Sequence, residues 1–289
     1  MNLTEHECFN LHNADYLTMP VLVSIPHAGR FYPSALFDNL RLPPDALVRL
    51  EDRYADLLAR DAVAAGATAI AANVARAWID LNRDEQDLDA EMIDGLDRSN
   101  RPAPGVKQRG GLGLIPRRLS GLGDLWRNRI SAGDVAQRID TFHRPYHSQV
   151  SAILAQMHRL FGTAILLDLH SMPPVPVAAH ETPPDFVIGD QFGRSASSRY
   201  SEFLVDQIRA RGFNVNLNNP YAGDHMLRLH GNVRGGIHAI QLEVDRTLYL
   251  QPGLREPNSS LPQIAQFIAN LVQGLANEAM GGTQLLAAE

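Results

Sequence analysis

The chain has 289 residues, 45% hydrophobic and 20% charged, a balance that excludes disordered, collagen-like and coiled-coil proteins and allows one large domain or two small ones. A formal net charge of −6 excludes a global pull toward nucleic acid or an anionic membrane, so an anionic ligand must be caught by local basic groups. All but one of the 26 basic residues are arginine, Lys107 being the exception, and each guanidinium is a planar fork for a carboxylate. Cys8 is the only cysteine, which suits a reducing compartment. The opening MNLTEHECFN has no basic or apolar leader character, and no run nears the ~18 apolar residues of a membrane span. We expect a cytoplasmic, soluble protein with no nucleic-acid or membrane partner; its oligomeric state is left open.

Short apolar, β-branched runs predict strands at Val21–Ile25, Ala67–Val74, Ala164–Leu169, Phe186–Ile188 and His238–Val244. Between them, apolar residues at three and four spacing predict helices over Asp52–Ala65, Asp134–Phe161, Ser195–Arg211 and Leu261–Glu278. This alternation implies an α/β fold: a mixed, largely parallel sheet with helices on both faces, in a single domain spanning residues 1–289. The chemistry is then expected at the carboxyl ends of the strands. A Gly/Pro/Arg-rich stretch at about 98–129 reads as a long irregular excursion. It lacks the interleaved aromatics of a nucleic-acid surface.

Polar groups gather at the predicted strand ends. His27 follows the first strand, with Pro26 stopping the ladder and Gly29 permitting a sharp turn. His170 closes the strand that begins at Ala164, and the two-residue period puts Asp168 on its face, able to orient the ring. Two histidines at one sheet edge are raw material for a zinc site, and a carboxylate as third ligand leaves the fourth position open. Asp52 and Asp56, four apart at a helix start and on one face, are the candidates, while Glu51 points elsewhere. Arg76-Ala-Trp-Ile-Asp80-Leu-Asn82-Arg83 carries more polar groups than a buried strand tolerates unpaired. A strand over Trp78–Leu81 delivers Asn82 and Arg83 to the same rim, where they can hold a carboxylate and polarise a carbonyl. On the last strand Gln241 and Glu243 share a face, making Glu243 a core carboxylate suited to general acid/base work. His143 and His147 are four apart, but Pro145 between them argues against a regular helix, so they are read as packing or loop-anchoring groups. A serine nucleophile at Ser171 is disfavoured, because strand neighbours point to opposite faces and no Gly-x-Ser-x-Gly elbow exists in the chain.

Together, Ile25-Pro-His-Ala-Gly29, the acidic start at Asp52 and Asp56, Ile79-Asp-Leu-Asn-Arg83, Arg144-Pro-Tyr-His147, Leu167-Asp-Leu-His-Ser171, Pro220-Tyr-Ala-Gly223 and Ala239-Ile-Gln-Leu-Glu243 resemble the N-formylglutamate amidohydrolase family. That family is similar in fold to zinc carboxypeptidases and aspartoacylases, so the resemblance implies a zinc-carboxypeptidase-like (phosphorylase/hydrolase-like) fold. It further implies a Zn2+-dependent amidohydrolase, another divalent metal being possible, that cleaves a small anionic acyl amino acid such as N-formyl-L-glutamate in histidine degradation. Carried over, His27 and His170 bind the metal with Asp52 (Asp56 in reserve), and Glu243 is the general base. Arg83 stabilises the oxyanion, and Asn82, Arg83, Arg76 and Arg228 hold the substrate. The chain departs from carboxypeptidases in having Arg30 three residues after His27, where they carry the ligating Glu. A related acylase acting on another acyl amino acid or a peptide, or a non-catalytic metal- or ligand-binding protein, are the alternatives.

Overall fold

The computed structural model describes residues 8–96, 105–178, 180 and 182–286. The first seven residues, part of the segment read as lacking a leader, and positions 98–104 of the expected excursion lie outside the described residues. The chain forms two compact units: Met1–Asn10, Pro26–Glu51 and Ala72–Ser148 make one, and Leu11–Ile25, Asp52–Ala71 and Gln149–Glu289 the other.

A seven-stranded sheet organises the second unit. Its strands are β1 (Phe9–His12), β2 (Val21–Ile25), β3 (Thr68–Ala72), β4 (Ala164–Met172), β5 (Phe186–Gly189), β6 (Val215–Leu217) and β7 (Ile237–Asp245), in the order β1-β3-β2-β4-β7-β5-β6. β2 runs parallel to β3 and β4, β4 to β7, and β5 to β6, while β5 and β7 are antiparallel. The sheet is therefore mixed and largely parallel, as the alternation of elements implies. β2, β3 and β4 are buried at every position, which is why these segments read as continuous apolar runs: both faces are covered. Besides short helices at Ser34–Asn39 and Val106–Arg109, the α-helices among the described residues are α1 (Ala55–Leu58), α2 (Arg60–Ala64), α3 (Ala132–Arg138), α4 (Arg144–Phe161), α5 (Ser198–Ala210), α6 (His225–His230) and α7 (Leu261–Leu286). α7 packs on α1, α2 and α5 and reaches β2 and β4, and α6 packs on β7 and β4. Phe267 of α7 sets its ring 5.7 Å from Phe186 of β5 and 5.4 Å from the half-buried Phe213, and the burial of Phe186 and Phe267 contributes about 1.5–3 kcal/mol each.

The expected helix from Asp52 starts three residues late. Tyr54 adopts φ 60°, in the left-handed region, so Asp52, Arg53 and Tyr54 form a turn and α1 begins at Ala55. Asp52 and Asp56 consequently share no helical face.

In the first unit no strand forms over Trp78–Leu81, contrary to expectation. The segment's backbone groups are satisfied in another way, largely by side chains. Arg138 Nη1 donates to the Trp78 carbonyl (3.0 Å), His147 Nε2 lies 2.9 Å from the Leu81 carbonyl, and His143 Nε2 lies 2.8 Å from that of Arg83. Asp80 N–H donates to the Leu114 carbonyl and Asn82 N–H to Asp80 Oδ1. A chain whose polar groups are met this way does not need a ladder. The donors come from one long helix that Pro145 does not interrupt. Ser131 caps its start by accepting from Asp134 N–H (3.0 Å), and Ile139–His143 between α3 and α4 is a π-helical segment. Pro145 has no N–H for the Thr141 carbonyl four residues back, and the Cys8 thiol donates to it instead (3.0 Å). The described part of the excursion is irregular, with a short helix at Val106–Arg109 and a ribbon pairing Arg118–Leu119 with Gly123–Asp124. Arg117 pairs there with Asp89 (2.6 Å) and Arg118 with Asp124 (3.1 Å).

Candidate active site

The parallel register of the second unit builds a polar row on three adjacent strands. Ser24 of β2 stands beside Asp168 of β4, Gln241 of β7 beside Asp168, and Glu243 beside His170. Because partners in register project to the same face and alternate residues repeat it, Ser24, Asp168, His170, Gln241 and Glu243 share one face. All are buried. Ser24 Oγ donates to Asp168 Oδ1 (3.2 Å), and Gln241 Nε2 donates to Glu243 Oε1 (2.8 Å). Both nitrogens of His170 meet carboxylates: Nε2 is 2.8 Å from Asp168 Oδ2 and Nδ1 is 2.9 Å from Asp52 Oδ2. Burial pushes the ring toward neutrality, but Asp168 and Asp52 overcome it and raise its pKa well above the usual histidine value. The second oxygen of Asp52 accepts from Arg246 Nη2 (3.0 Å), and the same guanidinium holds Ser171 through its hydroxyl (3.1 Å) and carbonyl (3.2 Å).

In the first unit Asp80 is the hub, with no exposed surface. His27 Nε2 lies 2.7 Å from its Oδ1 and Arg76 Nε donates to its Oδ2 (2.8 Å). Burial alone would raise the carboxyl's pKa; Arg76, His27 and Arg83 together hold it well below the usual carboxylate range. Arg83, 3% exposed, donates through Nε to the Leu112 carbonyl (2.9 Å) and through Nη1 to that of Asn82 (2.6 Å).

The expected residues thus fall into place as follows. Asp52, His170 and Glu243 come together in the second unit, and His27, Arg76, Asn82 and Arg83 gather around Asp80 in the first. Asp56 is half-buried on α1. Arg228 of α6 is half exposed and paired with Asp224 (3.2 Å). Glu51 accepts from the Tyr32 hydroxyl. Gly29 has no left-handed φ; its role is close approach, since a Cβ there would lie 1.9 Å from the Val74 carbonyl oxygen. Reading the sequence did not single out Arg246 or a role for Asp80. The available signals were an arginine directly after a buried strand and a carboxylate between apolar neighbours in Ile79-Asp-Leu.

The model of the N-formylglutamate amidohydrolase family matches residues 19–250. The chain belongs to this family. It is 30% identical over 256 residues to N-formylglutamate deformylase of Pseudomonas putida, covering 86% of this chain and 87% of that protein. A crystal structure of N-formylglutamate amidohydrolase from Ralstonia eutropha JMP134 superimposes with a TM-score of 0.88 at 27% identity, over 96% of this chain and 99% of that one. A gene product of Agrobacterium tumefaciens shares the fold at 20% identity and a TM-score of 0.67, over 97% of each chain. The short strings that carry the resemblance from Ile25 to Glu243 all lie inside the matched span of this N-formylglutamate amidohydrolase family member.

Buried donors of the kind that hold a metal ion are present: His27, Asp52 and His170. Their surroundings suit ligation. A ligating histidine ordinarily has its other ring nitrogen held by a carboxylate or carbonyl, which fixes the tautomer and the ring. His27 and His170 each meet this with a buried aspartate, Asp80 and Asp168, at Nε2, which leaves Nδ1 as the donor atom. Asp52 likewise has one oxygen held by Arg246 and the other toward His170 Nδ1.

Proposed function

We propose that this chain hydrolyses the formyl amide of N-formyl-L-glutamate, releasing formate and L-glutamate, in the cytoplasm and as a step of histidine degradation. The observation that carries the reading is the family match across residues 19–250, within which Glu243 stands beside His170 on neighbouring strands. We assign His27, Asp52 and His170 as ligands of a divalent metal, zinc by the character of an open two-histidine, one-carboxylate set. Such an ion supplies Lewis acidity, enough to make water nucleophilic near neutral pH.

The chain's own residues do the rest. Glu243, oriented by Gln241, takes a proton from the attacking water at a carboxylate oxygen and returns it to the leaving nitrogen, so formate and the free amine of glutamate depart together. Arg83 opposes the charge that develops on the carbonyl oxygen, and Asn82 and Arg83 hold the anionic substrate with help from Arg76 and Arg228. Ser171 is not the nucleophile in this scheme: its hydroxyl accepts from Arg246, and it faces away from His170.

Formate release from N-formyl-L-glutamate, followed in the protein as isolated, after chelation and after zinc is restored, tests the proposal. Activity lost on chelation and regained with zinc supports it. Absence of formate in all three, with zinc bound stoichiometrically, overturns the substrate assignment.

A further inference from the structure

Within the first unit, residues 138–147 of the long helix carry a row of side-chain donors aimed at one short stretch of backbone. Arg138, His143 and His147 meet the carbonyls of Trp78, Arg83 and Leu81. An uninterrupted α-helix would put residues five apart, such as Arg138 and His143, about 140° from each other around the axis. The π-helical turn Ile139–His143 takes up the extra residue and returns His143 toward the face of Arg138. His147 then follows at the helical spacing of four, its ring centroid 4.3 Å from that of His143. Both rings are buried, 2% and 6% exposed. The two histidines therefore bracket Asn82, one holding the carbonyl before it and one the carbonyl after it.

We infer that His143 and His147 are positioning residues, which fix the Asn82–Arg83 turn by its backbone so that both side chains are preset for substrate. The inference rests on the assignment of Asn82 and Arg83 as substrate-holding groups. The turn has no β-ladder, so these bonds take the place of strand pairing. Arg83 Nη1 is held by the Asn82 carbonyl of the turn itself and Nε by the Leu112 carbonyl outside it, so a shift of the turn against its surroundings changes how the guanidinium is set. A buried histidine used only as filler would not need its Nε2 on a carbonyl of this turn, still less twice.

The test uses the full chain with His143→Ala, His147→Ala, His143→Gln and His147→Gln. Glutamine places an amide N–H near the position of Nε2 and can restore the bond. The expected result is a loss of about 10- to 100-fold in kcat/KM on N-formyl-L-glutamate for each alanine variant, the scale of an ångström misplacement. KM should rise by more than kcat falls, and glutamine should recover most of the loss. Peptide-level hydrogen exchange over residues 78–85 should rise in the alanine variants and return toward the parent rate with glutamine.

Alanine variants that keep the parental KM and kcat, or glutamine variants that remain as impaired as alanine while folded, overturn the inference. If an alanine variant fails to fold, the glutamine variant and the exchange measurement decide. The exchange readout needs no substrate. No turnover by the unmodified protein therefore counts against the proposed function, while unchanged exchange counts against this inference.

Discussion

Glu243 of β7 lies directly beside His170 of β4 in a parallel register that runs without interruption from Ile237 and Ala164 to Asp245 and Met172. The pairing places a base candidate and a metal-ligand candidate on one face, one strand spacing apart, about 4.8 Å. Changing Glu243 to Gln keeps the shape and removes the basicity. We expect kcat to fall by about 10²–10⁴-fold with zinc stoichiometry unchanged, measured by formate release and metal analysis on the same preparation. A variant with parental turnover would reject Glu243 as the base.

Arg246 fixes the oxygen of Asp52 that does not face His170. Arg246→Met should free this carboxylate to rotate, weakening zinc binding about 10- to 100-fold, as should Asp168→Asn, which removes the charge opposite His170 Nε2. Competition against a fluorescent chelator measures this directly. Unaltered affinity in both variants would show that these contacts do not support the ligands.

His238 makes the stability of the second unit fall as the pH is lowered. Its Nδ1 accepts from the backbone N–H of Ser197 at the start of α5 (3.2 Å), a bond that requires the neutral ring. Burial, then the nearby Arg199, depress its pKa from 6.5 to about 4. The unfolded chain takes up this proton first as pH falls, so the contribution is complete above about 6.5, declines between about 6.5 and about 4, and is lost below. The full difference corresponds to about 3 kcal/mol. His238→Asn keeps an acceptor near the Nδ1 position without titrating. Urea midpoints taken from pH 7 to pH 4.5 should fall more steeply in the parent than in the variant, and parallel slopes would refute the assignment.

Gly29 allows the loop after β2 to pass against the Val74 backbone. In Gly29→Ala the new Cβ meets the Val74 carbonyl at 1.9 Å, and backbone must move. We expect a loss of about 1–3 kcal/mol, the usual scale of overpacking, with a lowered Tm. An unchanged Tm would mean that the loop relaxes freely.

The five inner strands were legible because their burial on both faces leaves a largely apolar signature, and Val21–Ile25 is matched residue for residue by β2; the edge strands β1 and β6 were not, because most of their residues are not buried and carry no such run. His27, His170 and Glu243 stand out as candidates because each lies at or near the end of such a run, and the longer helices are legible because their apolar spacing is sustained. The helix start at Asp52 misled, since the left-handed Tyr54 that delays it has no local mark in an Asp-Arg-Tyr string. Trp78–Leu81 misled for another reason. Whether a polar-rich segment pairs as a strand depends on which donors reach it, and Arg138, His143 and His147 lie about 60 residues away along the chain.

By itself the sequence determined the element alternation, the mixed, largely parallel sheet and the family, because hydrophobic period and short strings are local properties. Only tertiary structure decided that Asp52 faces His170, that Arg246 holds Asp52, and that Asp80 and Asp168 back the two candidate histidines. These are contacts between residues as far apart as 194 positions. They exist only once strand register and turn geometry have brought buried charges close enough to require one another.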